Sequence, residues 1–156
     1  MPGSLSAMDG ANPILIGVTV LLAAASIGAI MALPPRARPA LVFAQLVLMT
    51  GIYIGFAVIG LEPINTATRP EWSAVLIESL IAIAFIGAGL NFLHGERAWV
   101  LGALILGHGG ADLMHLLMDV AHSPDWYEFL CILFDAIVGF AAIWLLSQKS
   151  SEIQSP

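Results

Sequence analysis

Five apolar stretches, each about as long as a bilayer is thick, constrain this chain more than any other feature. A spanning helix needs roughly 20 mostly apolar residues, and each stretch of the 156-residue chain reaches that length. The stretches lie at 13–33, 40–61, 72–93, 98–118 and 126–147. They are too long for barrel strands and show no alternation of polar and apolar residues. The sequence therefore predicts an all-α, polytopic membrane protein, a bundle of five transmembrane helices.

Composition excludes the other broad classes of protein. Only 10% of the residues are charged and 59% are hydrophobic, whereas a soluble domain carries about 25% charged residues. That excludes a soluble globular domain and a disordered chain. Five Lys and Arg against 11 Asp and Glu leave no basic face for nucleic acid. We expect a single transmembrane domain over 13–147, between an N-terminal tail at 1–12 and a C-terminal tail at 148–156. Prolines from Pro34 to Pro39 predict a non-helical break.

The basic residues predict the orientation of the bundle, because cytoplasmic loops are enriched in Lys and Arg. With five spans, one side receives only Arg69 and the other receives Arg36, Arg38, Arg97 and Lys149. The N-terminus is therefore expected outside and the C-terminus in the cytoplasm. The outer side also collects acidic residues that we interpret as a solvated rim, namely Asp9, Glu62, Glu71, Asp119, Asp125 and Glu128.

Several ionisable residues nevertheless lie inside the predicted spans, where each charge costs a few kcal/mol or more. Glu78 is in the third span, and Asp135 is in the fifth. The fourth span carries His108, Asp112 and His115 at positions i, i+4 and i+7, which share one face of a helix. These residues are the part of the sequence that bears on function.

The acids also agree in depth. Glu78 is six residues, or roughly 9 Å, below the expected outer edge of the bundle. Asp112 is seven residues, or roughly 10 Å, below that edge, and Asp135 is nine residues, or roughly 13 Å, below it. On the fifth span, Glu128 and Cys131 share the face of Asp135 at i, i+3 and i+7. The sequence therefore predicts one polar cluster in the outer half of the bundle.

Three interpretations of this cluster stay open. The residues hold the helices together as hydrogen-bonded neutral groups, or they bind a divalent metal such as Zn, Mn or non-haem Fe, or they relay protons. In the metal interpretation, His108, Asp112, His115 and Glu78 are the candidate ligands. Asp135 then orients a ligand or acts as a base, and Asp135 and Glu78 are the candidate catalytic carboxylates.

Two cofactors are disfavoured by where the His and Lys residues fall. All four His lie on the fourth span or its flanking loops, so no second helix offers an axial imidazole to haem. Retinal bound as a Schiff base is excluded because no Lys lies within a span.

A set of short motifs runs from the second span to the fifth. These are Tyr53-Ile54-Gly55, Glu78, His108-x-x-x-Asp112-x-x-His115, Pro124-x-Trp126-Tyr127 and Cys131-x-x-x-Asp135. In these motifs the chain resembles a family of small uncharacterised bacterial integral membrane proteins. The resemblance implies the cytoplasmic (inner) membrane of a bacterium and implies no particular activity. A more distant resemblance, through the His and Asp residues, is to the seven-span membrane hydrolases of the ceramidase and progestin-receptor group, which hold zinc with His.

The leading functional hypothesis is a membrane-embedded metal-binding protein, in the form of a hydrolase for a lipid-like small molecule. The alternatives are a proton- or cation-linked small-molecule carrier and a non-catalytic subunit of a larger membrane complex. Membrane lipids are the expected partners. The chain is also a candidate to associate with copies of itself or with other subunits of a larger membrane complex. An isolated pocket is favoured over a path through the bilayer, because the cytoplasmic halves of the spans hold few polar groups.

Overall fold

Every regular element in the described part of the chain is a helix. The computed structural model describes residues 12–59, 72–118, 123 and 125–148. Its long helices are α1 (Pro13–Ala32), α2 (Arg38–Ile59), α3 (Trp72–Phe92), α4 (Val100–Met118) and α5 (Asp125–Ser147), with a 3-10 turn at Pro35–Ala37. Five helices are long and apolar enough to cross a membrane. The predicted all-α fold with five spans is confirmed to that extent.

The helices begin and end within two residues of the predicted boundaries, and the proline break accounts for one of these differences. Helix α2 begins at Arg38, two residues before the predicted start, because Pro39 falls in the first turn, where its missing N–H costs nothing. Arg38 also closes the end of α1, since its Nε donates to the Leu33 carbonyl oxygen at 3.2 Å. At the other end of α1, the Asn12 side chain accepts a hydrogen bond from the Ile14 N–H at 2.9 Å.

Helices α4 and α5 form the most extensive pair, and α5 also packs along α1. Glycines allow this close approach. A Cβ at Gly102 would lie 2.6 Å from the backbone nitrogen of Ile143 and 2.8 Å from the carbonyl oxygen of Gly139. Small residues at helix interfaces are the usual means of close packing in membranes. Helix α2 packs mainly on α3, and the shared core includes Leu46, Leu101 and Val138.

The outer surface of the bundle is apolar, as a lipid-facing surface requires. Leu21 on α1, Leu80 on α3 and Phe140 on α5 are each more than half exposed. In a membrane these side chains contact hydrocarbon and need no protein partner. The spacing Gly51-x-x-x-Gly55 is typical of a packed helix face. Here both glycines lie on this apolar surface, because a Cβ at either would meet nothing within 4 Å.

Two ends of the bundle are distinguished below. The Trp126 end is where α3 and α5 begin and α2 and α4 end, and the Arg38 end is the opposite one. The connection at the Arg38 end between α3 and α4 turns at Gly95, whose φ of 105° lies in the left-handed region that favours glycine. Several predicted features lie outside the described residues, namely residues 1–11 and 149–156 of the tails, the loop at 62–70, Arg69, Lys149 and the rim acids Asp9, Glu62, Glu71 and Asp119.

Candidate functional site

Ionisable side chains gather inside the bundle between its middle and the Trp126 end. Helix α4 turns one stripe inward, and that stripe carries His108 and Asp112 together with Leu101 and Ile105. The stripe follows the i, i+3, i+4, i+7 pattern of a helix that buries one face. The side chains of His108, Asp112 and Asp135 are almost entirely buried, at 3%, 1% and 1% exposure. They are therefore polar groups that the protein encloses almost completely.

Three of these residues form one compact group across α4 and α5. The Nδ1 atom of His108 is hydrogen-bonded to Oδ2 of Asp135 at 2.8 Å. The same Nδ1 atom lies 3.6 Å from Oδ2 of Asp112, one turn further along α4. One ligand-type atom from each residue lies within 4.8 Å of the others, a spacing that suits a metal ion. Below, "the three-residue group" means His108, Asp112 and Asp135.

A second imidazole and carboxyl pair lies towards the Trp126 end. Nε2 of His115 is 3.5 Å from Oε1 of Glu78, so the pair joins α4 to α3. The buried Tyr53 of α2 lies beside both sets of residues. Its ring centroid is 5.6 Å from that of His108 and 5.7 Å from that of His115. Its hydroxyl faces the Asp112 carboxyl. Tyr53 therefore connects the Glu78–His115 pair with the three-residue group.

Glu128 corrects one expectation from the sequence. It was assigned to a solvated acidic rim, but its side chain is 1% exposed and accepts a hydrogen bond from the Ser123 hydroxyl. The physical reason is its position on α5, seven residues before Asp135 and hence on the same inward face. That spacing was visible in the sequence and was the better guide to its burial. Trp126 lies at the same end and is 47% exposed, as an interfacial aromatic is.

The structure distributes the predicted site residues over two places. His108 and Asp112, predicted as ligands, lie in the three-residue group, and so does Asp135, predicted as an orienting group or base. His115 and Glu78, also predicted as ligands, form the separate pair described above. His122 lies outside the described residues. The sequence did not single out Tyr53 by itself, although its motif was noted.

Gly109 is the reason that Asp135 can reach His108. A Cβ at Gly109 would lie 2.9 Å from the Cβ of Asp135, closer than real Cβ atoms approach one another. At the neighbouring Gly110, a Cβ would meet nothing within 4 Å. Glycines inside a span serve close helix approach or leave room for a ligand. At Gly109 the structure shows close helix approach.

The charges of the buried groups do not cancel. The described interior holds four carboxyl groups, those of Glu78, Asp112, Glu128 and Asp135. Only two imidazoles, those of His108 and His115, face them, and no Lys or Arg is among the buried residues of the described helices. Full ionisation of all six groups would leave an excess of two negative charges. A buried site of this kind needs additional protons or a bound cation.

A groove on the surface of the bundle reaches this site from the side. It has a volume of about 690 Å³, runs between α1 and α2, and has α5 as its floor. Most of its lining is hydrocarbon, with Cys131 and Asp135 on the floor. Asp135 is thus shared between the three-residue group and a groove that opens on the apolar surface.

The chain matches no protein-family model, no curated protein and no solved structure. The chemistry of the described residues is therefore the basis for the functional proposal.

Proposed function

We propose that the protein holds a divalent metal ion inside the membrane, bound by His108, Asp112 and Asp135. The observation that carries this proposal is the convergence of one imidazole and two carboxyl groups, all buried, within 4.8 Å of one another. Imidazole and carboxylate together suit Zn, Mn or non-haem Fe. A divalent ion also offsets the negative charge of the two carboxylates that would bind it, because a ligating imidazole is neutral.

One distance in the three-residue group fits this use. Two ligands of a tetrahedral ion, each about 2.1 Å from it, lie about 3.4 Å apart. The 3.6 Å between Nδ1 of His108 and Oδ2 of Asp112 is close to that value. The 2.8 Å between Nδ1 and Oδ2 of Asp135 is a hydrogen bond instead. Binding of an ion at these atoms replaces the proton in that bond.

The number of ligands supports a catalytic site over a structural one. Structural zinc sites are closed by four protein ligands, whereas catalytic sites use three and leave one position open. The group on α4 and α5 offers three ligands. A bound metal supplies a Lewis acid that polarises a carbonyl or phosphoryl oxygen. We propose a membrane-embedded hydrolase for a lipid-like substrate. Tyr53, which lies beside Asp112, is its hydrogen-bond donor. The groove is the route by which the substrate reaches Asp135.

Elemental analysis of the detergent-purified protein tests the metal proposal. We expect about one divalent ion per chain, as three converging ligands would hold, removed by a chelator and restored by the metal salt. The exposed His94 gives a control, because His94→Ala removes an imidazole outside the site and leaves the stoichiometry unchanged. A purified protein that carries no ion, and takes up none after chelation and dialysis against Zn, Mn or Fe, would contradict the proposal.

Gly109→Ala should lower metal affinity about tenfold, the lower end of what loss of support around a ligand costs. The added methyl group would push against Asp135 and move its carboxyl away from His108. Gly110→Ala is the matched control, because the same methyl group enters open space there. Zinc titration against a chromogenic chelator measures both variants. Equal affinity in the two would show that Gly109 does not position Asp135.

The proposed location is the cytoplasmic membrane of a bacterium, with the N-terminus outside. Two described arginines, Arg36 and Arg97, lie in connections at the Arg38 end of the bundle, which supports a cytoplasmic position for that end. The metal site then lies in the outer half of the membrane.

A further inference from the structure

We infer that the groove between α1 and α2 binds the hydrocarbon chain of a single-chain lipid and presents the lipid's head to Asp135. This inference names the substrate class of the proposed site, and the substrate role of the lipid rests on the proposed function. Binding of the chain itself stands on the shape and chemistry of the groove.

The lining of the groove has the chemistry of a chain-binding surface. Helix α1 contributes residues from Leu15 to Ala29, and Leu22 on α1 and Leu48 on α2 are both more than half exposed at its mouth. The mouth therefore opens on the part of the bundle that faces hydrocarbon. A lipid chain can enter it from the bilayer without crossing water.

The groove is long enough for an extended hydrocarbon chain. From Leu15 to Ala29 it follows 14 residues of α1, or about 21 Å. Its volume of about 690 Å³ is distributed along that length, between walls on α1 and α2 and a floor on α5. A single chain lying along the groove would contact all three helices.

Polar groups mark two places along the groove. Cys131 and Asp135, the latter itself a proposed metal ligand, lie on its floor. Further towards the Arg38 end, Gln45 donates from Nε2 to the Ser26 hydroxyl at 2.7 Å, and both residues line the groove. The Oε1 atom of Gln45 is buried and accepts no hydrogen bond within the described part of the chain. A lipid with a hydroxyl or amide N–H near its head would satisfy that oxygen.

Photolabelling with a lipid of one chain tests the groove. The probe is palmitic acid that carries a diazirine and an alkyne, added to the full-length protein in phosphatidylcholine nanodiscs. We expect saturable labelling, displaced by unlabelled palmitic acid, with labelled residues mapped by mass spectrometry to the groove faces of α1, α2 and α5. Labelling spread evenly over the lipid-facing residues of all five helices would overturn the inference, as would chemical cross-links that place a second copy of the chain in the groove.

Two neighbouring alanines on α1 provide the matched variants. Ala25 lines the groove, whereas Ala24 is exposed and lies outside it. Ala25→Trp fills the groove and should reduce saturable labelling about tenfold, since overpacking of this kind commonly exceeds the free energy of a tenfold change. Ala24→Trp should leave labelling unchanged, and equal labelling in the two variants would overturn the inference.

Metal content, measured on the same samples, separates this inference from the proposed function. Saturable labelling in a protein that binds no metal would support the lipid-chain site and contradict the proposed hydrolase. Bound metal in a protein that is labelled evenly over its lipid-facing residues would support the metal site and contradict the lipid-chain site.

Discussion

His108→Ala is expected to abolish stoichiometric metal binding, whereas His115→Ala retains the metal. Only His108 lies within the three-residue group, where its Nδ1 atom faces both Asp135 and Asp112. His115 is paired with Glu78 instead. Loss of one ligand of three should weaken binding more than the 10- to 100-fold that loss of a supporting residue costs, so by roughly 100-fold or more. Elemental analysis and zinc titration of the two variants measure the difference.

The pair of variants also tests whether one imidazole or both bind the ion. Both imidazoles were predicted as ligands on one helical face, and the structure places them in different groups. Equal loss of metal in both variants would show that the ion recruits Glu78 and His115 as well. Thermal unfolding of each metal-free variant checks independently that it is folded. Loss of metal by a misfolded variant is then not mistaken for loss of a ligand.

Gly102→Ala is expected to destabilise the bundle more than any other exchange of glycine for alanine considered in this chain. The new Cβ would meet the backbone of α5 at Ile143 and at Gly139, at 2.6 Å and 2.8 Å. Backbone atoms cannot rotate away as a side chain does, so α4 and α5 must separate. Overpacking of a core commonly costs about 1–3 kcal/mol, and we expect a value at the upper end.

Gly51→Ala is the matched control for this prediction, because a Cβ at Gly51 enters open space on the outside of α2. Its melting temperature in detergent should equal or exceed that of the unmodified protein, since alanine favours a helix over glycine. If Gly102→Ala melts at the same temperature as Gly51→Ala, α4 and α5 do not approach as closely at Gly102 as described.

Hydropathy was sufficient to predict the five helices, because span length is fixed by bilayer thickness and each apolar run ends in residues that interrupt a helix. Depth also follows from the sequence, since the rise per residue is constant. Glu78, Asp112 and Asp135 are all buried, and Glu78 and Asp135 contact His115 and His108 on the same stretch of α4. The sequence was therefore informative about position along the helix axes.

Contacts in the plane of the membrane were harder to predict. Whether His115 meets Glu78 or Asp135 depends on how α3 and α5 are rotated about their axes, and apolar residues surround each helix too evenly to fix that rotation. Gly102 and Gly109 hold α4 against α5 and thereby set one of these rotations. Gly51 resembles them in sequence and packs against nothing in the described chain. Only the partner helix distinguishes such glycines.

The position of Asp135 on α5 has a consequence for how such a protein can diversify. All three proposed ligands belong to α4 and α5, the two helices locked together by glycine, whereas the walls of the groove belong to α1 and α2. Substitutions on the walls can therefore alter chain length or shape preference while the reactive centre keeps its geometry. Lipid selectivity and metal chemistry would then depend on different helices. Relatives that bind different lipids are therefore expected to differ most on α1 and α2.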